Sequence, residues 1–228
     1  MKYALRQLAK SPGFSLAALL TLALGIGATT AIFSVVNAVL LRPLDYREPD
    51  QIVTLWSYNL KRANRYAVSG PDYRDWREQS RSFAAMARYN PGEAGVVIGG
   101  TAEKLTGSMV SDGFFRVLDV APRAGRLFSA AEMRTGGVVV IGEAFARRHF
   151  AGDVAAALGA SLKVWGQTFR IVGVLPATCT FPEKSELWLP ADTVFPETPS
   201  RSAHNYRAIA RLAPGVSLSQ AQIGRAHV

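Results

Sequence analysis

Two aspartates three residues apart, Asp72 and Asp75 in "PDYRDWREQSR", come nearest to a carboxylate pair for acid–base work. A helix would put them on one face. Arg74 and Arg77 flank them, however, and helix capping with surface ion pairing accounts for both carboxylates. The single cysteine, Cys179, would need a histidine beside it to act as a nucleophile. His149, His204 and His227 stand at no recognised spacing from it, and one cysteine with three scattered histidines does not compose a zinc site. His149 follows Arg147 and Arg148 near the end of a predicted helix, where positive charge is favoured in any case. No glycine precedes a lysine, so the loop G-x-x-x-x-G-K-[ST] that cradles phosphate is absent. The motifs G-x-S-x-G, S-x-x-K and H-E-x-x-H are absent as well. No catalytic, cofactor-binding or metal-binding residue is assigned, and the pattern points away from an enzyme.

The elements that would have to carry function begin with "FSLAALLTLALGIGATTAIFSVVNAVLL", Phe14 to Leu41, which holds no charged residue. A bilayer core of roughly 30 Å needs about 20 apolar residues at about 1.5 Å each, so this run spans a membrane with residues to spare. A signal peptide has a shorter apolar region, about 7–15 residues, closed by a small-residue cleavage site, and no clean one occurs here. Residues 14–41 are therefore read as a transmembrane helix that is kept. Lys2, Arg6 and Lys10 precede it without an acidic neighbour, whereas Arg42, Asp45, Arg47 and Glu48 nearly cancel behind it. The positive-inside rule then predicts a cytoplasmic N-terminus, with residues 1–13 as an amphipathic segment at the inner surface, closed by Pro12-Gly13. Ala17, Thr21, Gly25 and Thr29 recur every four residues and form a small-residue face on which a second helix could pack closely.

Behind the span lie residues 42–228, enough for one large domain or two small lobes. The net charge is +9, but the basic residues are scattered among acids, with no dense run and no aromatic-basic platform. That pattern argues against a nucleic-acid partner. One cysteine excludes an internal disulfide, which a domain this large does not need. "QIVTLWSY" reads as a strand and "RANRYAVSG" as a polar loop. A helix follows, with Ser69 or Gly70 as its cap, Pro71 in its first turn, and Tyr73, Trp76 and Phe83 toward the core. "AGVVIGG" and "EKLTGSMVS" read as strands joined at Gly99-Gly100, and "DGFFRVLDV" as a short helix. Ser129 and Glu132 have capping-box spacing. "GGVVVIGEAFARRHF" predicts a buried strand and then a helix from Glu143. Further strands are expected in "ASLKVWGQTFRIVGVLP", "SELWLP" and "NYRAIARLAPG". The fold class is α+β: one N-terminal transmembrane helix, then a mixed α+β exterior in two lobes. "PGVSLSQAQ" opens another helix, capped by Ser217 with Gln220, so the chain reads as a fragment whose last residues, 223–228, do not continue the pattern.

The order of these stretches resembles the MacB/FtsX-like ABC transporter permeases, and most of all the large duplicated permeases of acidobacteria. The resemblance rests on "SPGFSLAALLTLALGIGATTAIFSVVNAVLLRPL", "PDYRDWREQSRSF", "GFFRVLDVAPRAGRLF", "VVVIGEAFARRHF", "LGASLKVWGQTFRIVGVLP" and "NYRAIARLAPGVSLSQAQ". It implies a bacterial inner-membrane permease subunit with a MacB-like periplasmic core domain, truncated here before three further helices. It implies pairing with a second permease copy or half, and an ABC ATPase subunit that holds the ATP, so no cofactor is expected on this chain. It further implies that ATP-driven motion of the helices moves the periplasmic domain, which acts on a periplasmic adaptor or other client. The chief alternative is a membrane-anchored exported ligand-binding or sensor domain. An anchored exported enzyme is a third possibility and would require a catalytic constellation.

Overall fold

The computed structural model describes residues 12–36, 46–59, 61 and 63–221. The chain divides into two units, Met1–Leu44 and Asp45–Val228. The described residues of the first form one helix, α1, Pro12–Val36. Pro12 is its first described residue, a position in the first turn where a residue without an N–H costs nothing. The expected N-terminal segment up to Ser11, and residues 37–41 at the far end of the expected span, lie outside the described residues. Leu16, Leu22, Leu24, Ile32 and Phe33 are all exposed by well over half. A helix apolar on every side, with no charge in it, suits hydrocarbon and not water.

The second unit is built on a nine-stranded sheet, ordered β1-β11-β4-β5-β10-β7-β9-β6 with β8 pairing β4 and β9. In chain order the strands are β1 Ile52–Leu55, β4 Phe83–Ile98, β5 Thr101–Val110, β6 Ala124–Gly125 and β7 Val138–Gly142. They continue as β8 Ser161–Val164, β9 Gln167–Leu175, β10 Leu187–Pro190 and β11 Arg207–Leu212. β2 Ser57–Asn59 and β3 Asn64–Tyr66 form a separate hairpin. The helices are α2 Gly70–Gln79, α3 Phe114–Leu118, α4 Ala130–Thr135, α5 Glu143–His149 and α6 Ala191–Val194.

Strand β7, "VVVIG", is buried along its whole length, between a parallel neighbour, β9, and an antiparallel one, β10. Its alternate residues feed two cores. Val139 and Ile141 join Phe145 of α5, Leu187 and Leu189. Val138 and Val140 join Phe114, Phe115, Leu118 and Trp188 on the opposite face. At the far end of the sheet Met86, Ala208 and Ala210 pack with Tyr73 of α2. The expected two lobes thus share one continuous sheet. They take the form of separate cores under α5 and α2, because β4 is long enough to serve both.

That length is the main departure from the sequence reading, which began the strand at Ala94. β4 starts at Phe83 and carries Pro91 within it. Pro91 falls just beyond Tyr89, the last residue that β11 pairs with, a place where a strand tolerates a residue with no N–H. The hairpin to β5 turns at Gly99-Gly100, both at positive φ (55° and 82°), as a two-residue turn requires. Two other expectations change. "QIVTLWSY" is two strands, broken at Trp56, and the "polar loop" after it contains β3. Ser217 and Gln220 make the expected reciprocal contacts, Ser217 N–H to Gln220 Oε1 (2.9 Å) and Gln220 N–H to Ser217 Oγ (3.4 Å). They close a turn, and residues beyond 221 lie outside the described ones.

Caps fix the helices. Ser69 Oγ accepts the Asp72 N–H at 3.2 Å, starting α2. Ser129 and Glu132 form the full capping box of α4. Arg126 adds a bidentate pair, Nη1 and Nη2 to the two Glu132 oxygens at 2.6 and 2.7 Å. These hydrogen bonds, from Arg126 first and then from the Ser129 N–H, hold the Glu132 carboxyl at about 2, below its usual 4.5. A lowered pKa stabilises the fold above the unfolded value and is lost as pH falls through the folded one. Glu132→Gln is therefore expected to lower stability at neutral pH. The gap to wild type should close between pH of about 4.5 and about 2, measured by urea unfolding of the detergent-solubilised protein. A gap constant across that range would contradict the assignment.

Candidate functional site

The four small residues of the predicted packing face lie on α1, and every one of them is exposed. Thr21 Oγ1 donates to Ala17 O and Thr29 Oγ1 to Gly25 O, each at 2.8 Å. The hydroxyls are satisfied four residues back along their own helix, which keeps the stripe low and free of unmet polar groups. A Cβ added at Gly25 would meet nothing within 4 Å, so any cost of filling that position has to come from outside the helix.

The groups singled out for chemistry are occupied elsewhere in the second unit. Arg201 bridges the two aspartates, Nη1 to Asp72 and Nη2 to Asp75, both at 2.8 Å. With Arg74–Glu197 at 2.6 Å, these pairs tie α2 to the segment after α6. His149 Nε2 lies 2.6 Å from Glu103 Oε1, and its ring stands 4.5 Å from that of Phe145. His204 Nδ1 lies 2.9 Å from Ala67 O. His227 lies outside the described residues. Cys179 is buried without a histidine among its partners; its neighbour is the Tyr46 hydroxyl. Burial pushes the thiol up to about 11, so the thiolate that a nucleophile requires is scarce at neutral pH. Among the described residues no three His, Cys, Asp or Glu side chains converge as a metal site. Two hollows, of about 290 and 370 Å³, open on the surface beside Trp76 and beside Arg126 and Arg170.

Three features escaped the sequence reading. Arg88, inside the apolar run "AAMARYN", is buried. It donates to Asp192 Oδ1 at 2.7 Å and to Phe195 O at 3.1 Å, and its guanidinium lies 4.8 Å from the Tyr206 ring centroid. An arginine at an inward position of an alternating strand was the available signal. Tyr58, about half exposed, stands opposite Arg65 in the β2–β3 hairpin, and the half-exposed Trp56 immediately precedes β2, a small aromatic-basic grouping that the sequence divides between a strand and a loop. Tyr46, the first described residue behind the span, is sunk in the core at 9% exposure.

Comparison with known proteins then decides the family. Residues 15–223 match the MacB-like periplasmic core domain. The chain belongs to that family. The match covers α1 and the sheet domain together. Three solved structures share the fold. The periplasmic region of MacB from Actinobacillus actinomycetemcomitans has a TM-score of 0.59 at 17% identity, over 74% of this chain and 78% of that one. The extracellular domain of the noncanonic ABC-type transporter YknZ from Gram-positive bacteria gives 0.54 at 16%, over 74% and 86%. A domain assigned to a permease protein from Porphyromonas gingivalis gives 0.57 at 20%, over 76% and 80%. No curated protein sequence matches the chain. A MacB-like periplasmic core domain behind an apolar helix describes a membrane-anchored permease component whose domain lies outside the membrane.

The buried thiol gives a direct check on the site's chemistry. Cys179 is expected to resist a maleimide or disulfide reagent at neutral pH in the folded protein and to react fully once urea unfolds it. Rapid modification of the native protein would show an exposed, reactive thiol instead.

Proposed function

We propose that this chain belongs to an ABC-type system in which a partner ATPase binds and hydrolyses ATP at the cytoplasmic face. Displacement of the membrane helix then moves the outer domain. In this reading the N-terminus is cytoplasmic, the membrane is the bacterial inner membrane, and the domain is periplasmic. A second permease copy or half packs against α1, and the moving domain works on an adaptor or other periplasmic client. No cofactor sits on this chain.

The observation that carries the reading is the single uninterrupted family match from the membrane helix through the whole outer domain. A lone anchor would need no particular helix surface. The face of Ala17, Thr21, Gly25 and Thr29, with its threonine hydroxyls bonded to their own backbone, is what close helix approach requires.

The test uses the intact permease with its ATPase in lipid nanodiscs. A nitroxide is placed through Lys163→Cys on the exposed side of β8, and Cys179 is left in place because it does not label. The distance between copies should shift on adding ATP and return on hydrolysis. An unchanged distance in a preparation that hydrolyses ATP would refute mechanical coupling. Separately, Gly25→Leu is expected to weaken association of the membrane helices several-fold by energy transfer between labelled copies, while leaving the melting of the outer domain unchanged. Wild-type association in that variant would remove the packing role of the stripe.

A further inference from the structure

If the membrane helix moves the outer domain, the point where the chain enters that domain has to bear load. The strand nearest that point, β1, is poorly suited to it. It has four residues, sits at the edge of the sheet and, among the described residues, pairs only with β11. An edge strand held on one side by so few bonds is the part of a sheet that opens most readily.

The six residues before β1 offer a second route. Tyr46 is buried among Phe114, Phe115, Cys179 and Trp188 in the core opposite α5. Its hydroxyl accepts the Phe181 N–H at 3.3 Å and hydrogen-bonds the Cys179 thiol. The carbonyl of the same Phe181 accepts the Trp188 indole N–H at 3.1 Å. Trp188 lies on β10, which is paired on both sides, with β5 and with β7. Two hydrogen bonds and a shared aromatic core thus connect the start of the domain to the middle of its sheet without passing through β1.

Arg211 holds this segment in place. Its Nη2 donates to the Arg47 carbonyl at 2.9 Å and its Nε donates to Val117 O of α3, also at 2.9 Å. Nη1 lies 3.9 Å from Glu48. The side chain is only 13% exposed, and Arg211 stands opposite Ile52, the first residue of β1. One guanidinium therefore fastens the incoming backbone, the strand beside it and the helix behind it. A planar fork with several fixed donors does this, and a lysine could not.

We propose that Tyr46, locked by Arg211, is the joint that hands displacement of the membrane helix to the centre of the sheet. The proposal rests on the mechanical reading given above. Tyr46 and Arg211 act as positioning residues, and they touch no substrate.

The experiment uses the intact permease and its ATPase in nanodiscs, with two reporter pairs between copies: Leu24→Cys on the membrane helix and Lys163→Cys on β8. In wild type, ATP shifts both distances. In Tyr46→Ala and in Arg211→Gln the Leu24 shift should stay at wild-type size while the Lys163 shift falls by more than half. Tyr46→Phe, which keeps the buried ring, should retain most of it. A Lys163 shift of wild-type size in both Tyr46→Ala and Arg211→Gln overturns the joint. Loss of the Leu24 shift as well overturns it too, because a joint beyond the helix cannot silence the helix. Circular dichroism melts confirm that the variants are folded, and Tyr46→Leu replaces Tyr46→Ala if the latter is not. A wild type with no shift at either pair is a different result, since it removes the mechanical reading itself.

Discussion

A strand buried on both faces can hold no polar side chain, and the architecture of the outer domain follows from that restriction on β7. With five consecutive buried residues, it needs apolar cover above and below along its whole length. On one side Phe145 of α5 supplies it; on the other, Trp188 and the phenylalanines of α3 do. The helices are short because they cap a sheet and do not carry the core themselves. The sheet can extend past them because β4, with 16 residues, runs on while changing partners from β11 to β5 and β8. The burial of Arg88 is a by-product of that continuity. It occupies an inward position of β4 between two cores, and Asp192, the Phe195 carbonyl and the Tyr206 ring compensate a charge that would otherwise be costly there.

Local chemistry was legible in the sequence where it acts within a few residues. The caps at Ser69 and Ser129, the Gly99-Gly100 turn, the change from β7 to α5 at Glu143 and the short strand in "SELWLP" all depend on neighbours close in the chain. The early half of β4 was not legible, because "AAMARYNP" combines an arginine, helix-favouring alanines and a proline. Only pairing with β11, more than a hundred residues later, makes a strand of it. The same distance hid the partners of Asp72 and Asp75. A surface role could be read from the adjacent arginines, but the residue that bridges them is Arg201.

The membrane helix was the opposite case. Its type follows from length and composition alone, and its face of small residues follows from spacing. Nothing in the sequence reading marked Tyr46. A tyrosine just behind a span ordinarily reads as an interfacial anchor, sitting where hydrocarbon meets water. Here its ring lies in a protein core, with partners at positions 179 and 181 that no local pattern connects to it.

The ion pairs of the outer domain are built almost wholly on arginine, with Arg74, Arg88, Arg126, Arg201 and Arg211 among those that hold a carboxylate; among the described residues the cations other than arginine that do so are Lys104 and His149. A guanidinium keeps its proton at any pH a cell encounters, so alkaline conditions leave these contacts charged. Acid alone can dissolve them, by protonating the carboxylate side. A domain outside the membrane has no cytoplasmic buffer around it. The ion pairs of this one persist toward base because of the cation they use, and they are lost toward acid because of the carboxylates they share.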